Sequence, residues 1–210
     1  MQSRPRSFMS PDGSRVACST TILPASGPAL LIEGSSWCRC GAAAYNVAGM
    51  ARVYVETTIA SFYHEERTEP EMLARRNWTR KWFDAARAGS DELVTSLAVD
   101  AELRGGNFPH RDAALSLIAD LPLVELDEAV AEIVDAYIVH RVMPKDPQGD
   151  ALHLAAASFH RCDFLVTWNC RHLANANKFG HIRRVNGILG IGSPVLVTPL
   201  ELLQEDTSDE

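Results

Sequence analysis

The chain has 210 residues and a formal net charge of −7, with 46% hydrophobic and 22% charged residues. These values are typical of a globular domain that is long enough to bury a core. The acidic balance argues against a generally basic nucleic-acid-binding module. No apolar run reaches roughly 18 residues, so we expect no transmembrane helix and no membrane partner.

The first 49 residues differ from the remainder of the chain. They are rich in Ser, Pro, Gly and Ala and show no sustained helical or strand period. Met50 lies two residues before the first convincing strand, so we expect residues 1–49 to be a disordered or spurious extension and Met50 to be the natural start. A genuine flexible extension is the alternative. We expect residues 50–204 to form the folded domain and the acidic residues 205–210 to be a frayed tail.

From residue 50 onward, strand patterns alternate with helix patterns. In chain order, the periodicity predicts a strand at 53–56, a helix at 71–88, a strand at 93–97, helices at 99–104 and 110–119, a strand at 123–126, helices at 128–141 and 150–160, a strand at 164–167, a helix at 181–190 and a strand at 195–197. This alternation predicts an α/β fold with a parallel sheet and crossover helices on both faces. Neither GxGxxG nor GxxxxGK[ST] occurs, which argues against a dinucleotide or nucleoside triphosphate site.

The five cysteines do not form a recognisable framework. Their number is odd and their spacing is irregular, which predicts neither a set of disulfides nor a four-cysteine zinc site. Reduced thiols in a cytoplasmic protein are therefore the default expectation. The cysteines are Cys18, Cys38, Cys40, Cys162 and Cys170.

Four polar side chains lie just after or beside predicted strand ends. Each has an ordinary explanation alone: a strand end reaching water for Glu56, a helix surface for Glu102, helix capping for Asp150 and a turn for Asn169. Ligands gather beyond the carboxyl ends of parallel strands, so the four side chains could instead converge on one cleft. Clustered carboxylates repel one another, and a divalent cation is the usual remedy. Oxygen ligands favour Mg²⁺ or Mn²⁺ over zinc.

The stretches "VYVETTIASFY", "TSLAVDAEL", "GDALHLAAA" and "DFLVTWNCRHL" resemble, in this order and spacing, PIN-domain ribonucleases and particularly VapC-type toxins of toxin–antitoxin pairs. The resemblance covers about residues 52–200. It implies a three-layer α/β/α sandwich with a central parallel sheet and a Mg²⁺- or Mn²⁺-dependent endoribonuclease. It also implies an RNA substrate, an antitoxin partner that plugs the cleft, and a homodimer.

By that likeness, Glu56, Glu102 and Asp150 hold the metal, and these three with Asn169 form the catalytic set. Glu56 stands where Asp is more usual, and Asn169 brings no charge to the fourth acidic position. These departures favour one-metal catalysis or a weaker metal affinity over a tight two-metal site.

Further residues are expected beside this set. Thr57 or Thr58 would orient Glu56 or a bound water through its hydroxyl, and Thr167 would do the same, with β-propensity and local capping as the alternative. His153 and His172 would touch substrate phosphate or assist proton transfer, or else have structural roles. We expect RNA contacts from positive residues late in the chain. These are Arg171, Arg183 and Arg184.

Two rival functions stay open on sequence grounds. A non-catalytic PIN module that binds RNA or protein would also fit a site with Glu56 and Asn169. A phosphatase of the haloacid-dehalogenase type would need a nucleophilic Asp, and a second Asp two residues on, after the first strand. Here "ETT" stands in that place, which makes the phosphatase a poor match.

Overall fold

The computed structural model describes residues 37–38, 45–46, 50–143, 146 and 148–203. The chain divides into two units, Met1–Ala48 and Gly49–Glu210. In the first unit, strand β1 (Trp37–Cys38) pairs antiparallel with β2 (Tyr45–Asn46). Apart from these strands, the predictions for residues 1–49 and 205–210 fall outside the described residues.

The second unit alternates strands and helices. Its elements are β3 (Arg52–Val55), α1 (Thr57–Tyr63), α2 (Pro70–Ala88), β4 (Glu92–Ser96), α3 (Leu97–Gly105), α4 (Arg111–Ile118), β5 (Leu123–Val124), α5 (Glu128–Val139), α6 (Asp150–Phe159), β6 (Phe164–Val166), α7 (Ala176–Leu189), β7 (Val195–Val197) and a closing 3₁₀ turn (Pro199–Leu202). Among the described residues, no helix combines the length and the apolarity needed to cross a membrane.

The five strands of this unit form one parallel sheet in the order β5-β4-β3-β6-β7. From β3 the chain moves outward through β4 to β5, then returns to β6 on the other side of β3 and ends at β7. Since such crossovers are right-handed, this reversal places the helices of the two halves on opposite faces of the sheet. The predicted three-layer α/β/α sandwich with a central parallel sheet is confirmed.

The two helical layers pack in different ways. Helices α1, α2, α3 and α4 contact one another. On the other face α5 packs on α6, and a buried polar network ties in α7: the Tyr137 hydroxyl donates to Asn186 Oδ1 at 2.7 Å, and Asn186 Nδ2 donates to Ser158 Oγ at 3.1 Å. These satisfied polar groups fix how the three helices sit against each other.

The centre of the sheet is buried on both faces. Val53, Tyr54 and Val55 of β3 are at most 2% exposed, as expected for the middle strand of a parallel sheet covered by helices on both sides. Helix α6 is almost as deeply buried, and its alanines at 155–157 are fully inaccessible. Small side chains allow this helix to lie close to the sheet, so the residues that it carries are held firmly.

Two helices differ most from the sequence-based prediction, and the other helices and strands of the second unit differ from it by at most two residues at either end. Helix α1 was not predicted, because "TTIASFY" contains the β-branched and aromatic residues that favour strands. Its first turn is instead stabilised by Glu56, whose side chain accepts the N–H of Thr58. Helix α7 begins at Ala176 rather than at residue 181. Asn175 caps this earlier start by accepting the N–H of Asn177.

Candidate metal centre

The candidate site lies between β3 and β6, the two neighbouring strands from which the chain continues toward opposite edges of the sheet. Strands β3 and β6 are neighbours, with Val55 paired to Val166, but the chain leaves them toward opposite edges of the sheet. Such a reversal opens a crevice at the carboxyl ends of the two strands. Glu56 directly follows β3 and Thr167 directly follows β6. Both residues therefore lie at this crevice.

Glu56 is buried and firmly held. Its side chain is 4% exposed, and its Oε2 atom accepts hydrogen bonds from the Thr58 N–H at 3.0 Å, the Thr58 hydroxyl at 2.5 Å and the Thr167 hydroxyl at 2.7 Å. Burial raises the pKa of Glu56, while His153 and these hydrogen bonds oppose the rise. A cation in contact with this carboxylate would favour its ionised form.

The two threonines connect Glu56 to the segment after β6. The Thr58 hydroxyl accepts the backbone N–H of Trp168 at 2.8 Å, and the Thr167 hydroxyl accepts that of Asn169 at 2.9 Å. Thr57 makes a different contact: its hydroxyl donates a short hydrogen bond to Glu102. Of the residues expected to orient Glu56, the structure thus places Thr58 and Thr167 against it and Thr57 against the second carboxylate.

Glu102 reaches the site from α3, the helix that follows β4. Its side chain is 34% exposed, and its Oε1 atom lies 3.1 Å from Nε2 of His153. Burial acts to raise the pKa of Glu102, but His153 and the Thr57 hydroxyl outweigh it, so that the pKa lies below its usual value. Glu102 is therefore the more readily ionised of the two carboxylates beside His153.

Asp150 is the first residue of α6, and helix capping does not explain its presence. The N-cap is Gly149, and no side chain caps this helix. Instead Asp150 Oδ1 accepts a hydrogen bond from Asn169 Nδ2 at 2.7 Å. Burial raises the pKa of Asp150, partly offset by His172 and His153.

Asn169 uses both ends of its side-chain amide in this arrangement. Its Nδ2 donates to Asp150, while its Oδ1 accepts the backbone N–H of His172 at 3.2 Å. Its oxygen is thus engaged by the backbone rather than offered to a cation. In this conformation Asn169 positions Asp150.

His153 lies one turn after Asp150 on α6 and is 1% exposed. Its Nδ1 atom is 3.0 Å from the Tyr54 hydroxyl, which is 2.7 Å from Ser96 Oγ. Burial acts to lower the pKa of His153, but Glu102, Glu56 and Asp150 together raise it above its usual value. The ring is therefore an electrostatic partner of all three carboxylates.

Three of these side chains are close enough to share one ion. Glu56, Glu102 and His153 each offer a ligand atom, and the three atoms lie within 4.8 Å of one another, so this group can hold a metal ion. The predicted set was Glu56, Glu102 and Asp150. Among the described residues, the compact group contains the histidine, and Asp150 lies beside it.

On sequence grounds, His153 is expected to contact phosphate, to assist proton transfer or to have a structural role. Two signals could have indicated a closer role. His153 follows Asp150 by three residues, which places both on one helix face, and Tyr54 lies two residues before Glu56, near the end of β3.

Basic residues expected to contact a substrate lie at the surface. Arg171 is exposed two residues after Asn169, and Arg183 and Arg184 are exposed on α7. Lys178 Nζ, at the start of α7, is 3.5 Å from His172 Nδ1. Positive groups are therefore present on the segment that follows β6, close in sequence to the acidic cluster.

Comparisons with known proteins add little to this geometry. No protein-family model matches the sequence, and no curated protein matches it. Among solved structures, a chain of a toxin–antitoxin complex from Klebsiella pneumoniae has 19% identity and a TM-score of 0.42, and the match covers 60% of this chain and 93% of that one. What the chain does must accordingly be inferred from its own residues.

Proposed function

We propose that this protein is a metal-dependent endoribonuclease that hydrolyses RNA phosphodiester bonds, and that it is the toxin of a toxin–antitoxin pair. One observation supports the nuclease most directly. Glu56, Glu102 and Asp150 are far apart in the sequence, yet the fold gathers all three around His153 beside the carboxyl ends of β3 and β6. Such an acidic cluster suits a divalent cation, Mg²⁺ or Mn²⁺.

Each side chain has a distinct task in this proposal. Glu56 and Glu102 bind the cation, which would lower the pKa of a bound water and stabilise charge on a phosphoryl oxygen. Asp150 accepts a proton from the attacking water. Its pKa is raised by burial, which brings it nearer to that of an effective general base. Asn169 holds Asp150 in place through its 2.7 Å hydrogen bond.

RNA is a plausible substrate for an acidic protein only if positive charge is available locally. The cation supplies part of that charge, and the exposed Arg171, Arg183 and Arg184 supply more. Contacts of this type bind phosphates without reading sequence. The arginines would hold the backbone of the RNA while the acidic cluster acts on one phosphodiester.

The toxin assignment comes from the sequence motifs and their resemblance to VapC-type toxins. "GDALHLAAA" forms α6 and "DFLVTWNCRHL" contains β6, so these motifs supply Asp150, His153, Thr167 and Asn169. With this assignment come three further predictions: an antitoxin partner, a homodimer and a cytoplasmic location.

The nuclease is tested with the purified full chain, freed of any co-purified protein, on total cellular RNA with Mn²⁺, with Mg²⁺ and with chelator. We expect discrete fragments only in the presence of metal. Asp150→Asn should reduce the rate by roughly 100-fold or more, since loss of a general base typically costs that much.

Asp120→Asn is a matched control. Asp120 is 81% exposed and precedes β5, so it lies toward the amino edge of the sheet, opposite the site. The same chemical change there should leave cleavage unaltered. Equal cleavage by wild type and Asp150→Asn would contradict the proposed function.

A non-catalytic RNA-binding module is the second candidate. It is favoured by Asn169, which brings no charge and whose amide is already engaged by Asp150 and His172. This candidate predicts RNA binding that survives Asp150→Asn, together with no metal-dependent fragments from wild type.

A further inference from the structure

The Nε2 atom of His153 has no directed hydrogen bond among the described residues, although it is fully buried. Oε1 of Glu102 lies 3.1 Å away, but the pair does not have the geometry of a hydrogen bond. Burying a polar atom without a partner is costly, and such atoms in native proteins usually have a specific reason. Here the atom lies beside Glu102, in the three-residue group that also contains Glu56.

The other ring nitrogen is well supported. Nδ1 of His153 contacts the Tyr54 hydroxyl at 3.0 Å, and that hydroxyl contacts Ser96 Oγ at 2.7 Å. When Tyr54 donates to Ser96, its oxygen accepts the Nδ1 proton, which leaves the Nε2 lone pair on the side of Glu102. Metal-binding histidines are commonly held in this way, with the second nitrogen donating to a fixed acceptor.

Glu56 also presents a suitable oxygen. Among the described residues, the hydrogen bonds that its carboxylate accepts all end on Oε2. Its Oε1 atom is thus the one left to meet a cation. The ligand atoms of Glu56, Glu102 and His153 lie within 4.8 Å of one another, a span that one ion can bridge.

We propose that Nε2 of His153 is a direct ligand of the metal ion, together with Glu56 and Glu102, and that this nitrogen donor makes the site select Mn²⁺ over Mg²⁺. Mg²⁺ is a hard ion that prefers oxygen ligands and gives up its water reluctantly. Imidazole nitrogen suits transition metals, among which Mn²⁺ also accepts carboxylates readily. The inference deepens the proposed function, since it concerns the same metal site.

The opposite arrangement is an imidazolium that takes the place of the cation. In that case His153 keeps its Nε2 proton, pairs with Glu102 and never contacts the metal. The two arrangements differ in whether a histidine nitrogen is bonded to bound Mn²⁺, which is measurable without any RNA.

The test uses the full chain, stripped of metal and loaded with one equivalent of Mn²⁺, in electron spin-echo envelope modulation spectroscopy. A directly bound imidazole nitrogen gives a characteristic ¹⁴N modulation, and growth with ¹⁵N-histidine should replace it by the ¹⁵N pattern. This measurement on the unaltered chain does not depend on how any variant folds. Mn²⁺ without histidine modulation, or no Mn²⁺ binding at all, would overturn the inference.

Variants then test the selectivity. His153→Gln places an amide at similar reach, and we expect Mn²⁺ affinity to fall by roughly tenfold to a hundredfold, since even residues that only orient a ligand change affinity by that much. Mg²⁺ affinity should change far less, so the Mn²⁺ preference should shrink. His181→Gln is the matched control, because His181 is exposed on α7 and lies outside the three-ligand group.

The outcomes separate this inference from the proposed function. Histidine-bound Mn²⁺ without RNA cleavage would support the ligand assignment and contradict the nuclease. Metal-dependent cleavage with no histidine nitrogen on the metal would do the reverse. An unchanged Mn²⁺ preference in His153→Gln would also count against the inference.

Discussion

At the scale of single residues, hydrogen bonds from Thr58 and Thr167 fix the position of the Glu56 side chain. A buried carboxylate is costly unless its oxygens are satisfied, and Thr58 and Thr167 provide two hydroxyls and one N–H to a single oxygen. The longer side chain at this position reaches the cluster while its own backbone begins α1. Local hydrogen bonds thus hold the glutamate side chain in the cluster.

Thr58→Val should therefore be more damaging than its small change in shape suggests. It removes one of the three hydrogen bonds to Glu56 Oε2 and leaves the Trp168 N–H without its hydroxyl acceptor, which should lower the free energy of unfolding by about 1–3 kcal/mol. Mn²⁺ affinity should fall as well, because Glu56 is held less firmly. Urea denaturation and metal titration measure the two effects.

Thr57→Val serves as the comparison, since Thr57 is only partly buried and donates a single bond to Glu102. We expect a smaller loss of stability from this variant. A larger loss than that of Thr58→Val would contradict the role given to the hydroxyl beside Glu56.

The two cysteines of the second unit should differ sharply in reactivity. Cys170 is exposed and Cys162 is buried, and burial raises the pKa of the Cys162 thiol to about 11. Because only the thiolate is nucleophilic, Cys162 stays unreactive at any pH well below this value while the fold is intact. Peptide mass spectrometry after iodoacetamide treatment at pH 8 should find Cys170 modified first. Equal rates at the two sites would show that this part of the fold opens readily.

Single residues also show how much of the candidate site could be predicted from the sequence. The positions of Glu56 and Asp150 could be predicted, because each adjoins a recognisable strand or helix. A place for His153 among the metal ligands was harder to predict, since a histidine on the apolar face of a buried helix resembles any core histidine. Its partner Tyr54 lies 99 residues away, and only the folded sheet brings the two together.

At the scale of elements, most strands and helices were predictable from hydrophobic period. β7 was predicted with its observed bounds, and α5 was predicted with its observed first residue. Helix α1 was missed because tertiary context overrides the strand preference of its residues. The order of the strands in the sheet, and hence the crevice between β3 and β6, was beyond what periodicity specifies.

Helix α6 is the element on which the site depends most, because it carries both Asp150 and His153 and packs closely against its neighbours. Ala155→Leu should lower the free energy of unfolding by about 1–3 kcal/mol, as expected for overpacking of a full core. Because the displaced α6 carries site residues, the protein should also bind Mn²⁺ less tightly. Urea denaturation measures the loss of stability, and metal titration measures the loss of affinity.

Ala176→Leu is the control, since Ala176 is exposed at the start of α7 and a surface change of this kind usually matters by less than about 0.5 kcal/mol. If Ala155→Leu behaved like this control, α6 would be more loosely packed than the structure indicates.

At the scale of the whole molecule, two carboxylates of the acidic cluster oppose folding in the absence of a cation. Burial raises the pKa of Glu56 and of Asp150, which means that the fold disfavours their ionised forms. A cation that binds only the folded chain stabilises it by mass action, about 2.7 kcal/mol at 100 times the dissociation constant. Mn²⁺ should therefore raise the melting temperature.

Glu56→Gln should separate the stabilisation by bound metal from the stability of the metal-free fold. Without a charge to bury, the metal-free variant should melt at or above the temperature of the wild type, but Mn²⁺ should give it little further gain. Differential scanning fluorimetry with and without Mn²⁺ provides the measurement. If Mn²⁺ raised the melting temperature of Glu56→Gln as much as that of the wild type, Glu56 would not be a metal ligand.

The adjacency of β3 and β6 also has a consequence for synthesis of the chain. Glu56 belongs to one of the first elements of the domain to leave the ribosome, whereas Thr167 and Asn169 belong to one of the last, 111 and 113 residues later. Since contacts between distant parts of a chain form only after both have emerged, the nascent protein carries no assembled acidic cluster for most of its translation. A nuclease built on this topology would stay harmless to the messenger and ribosome that produce it until the domain is nearly complete.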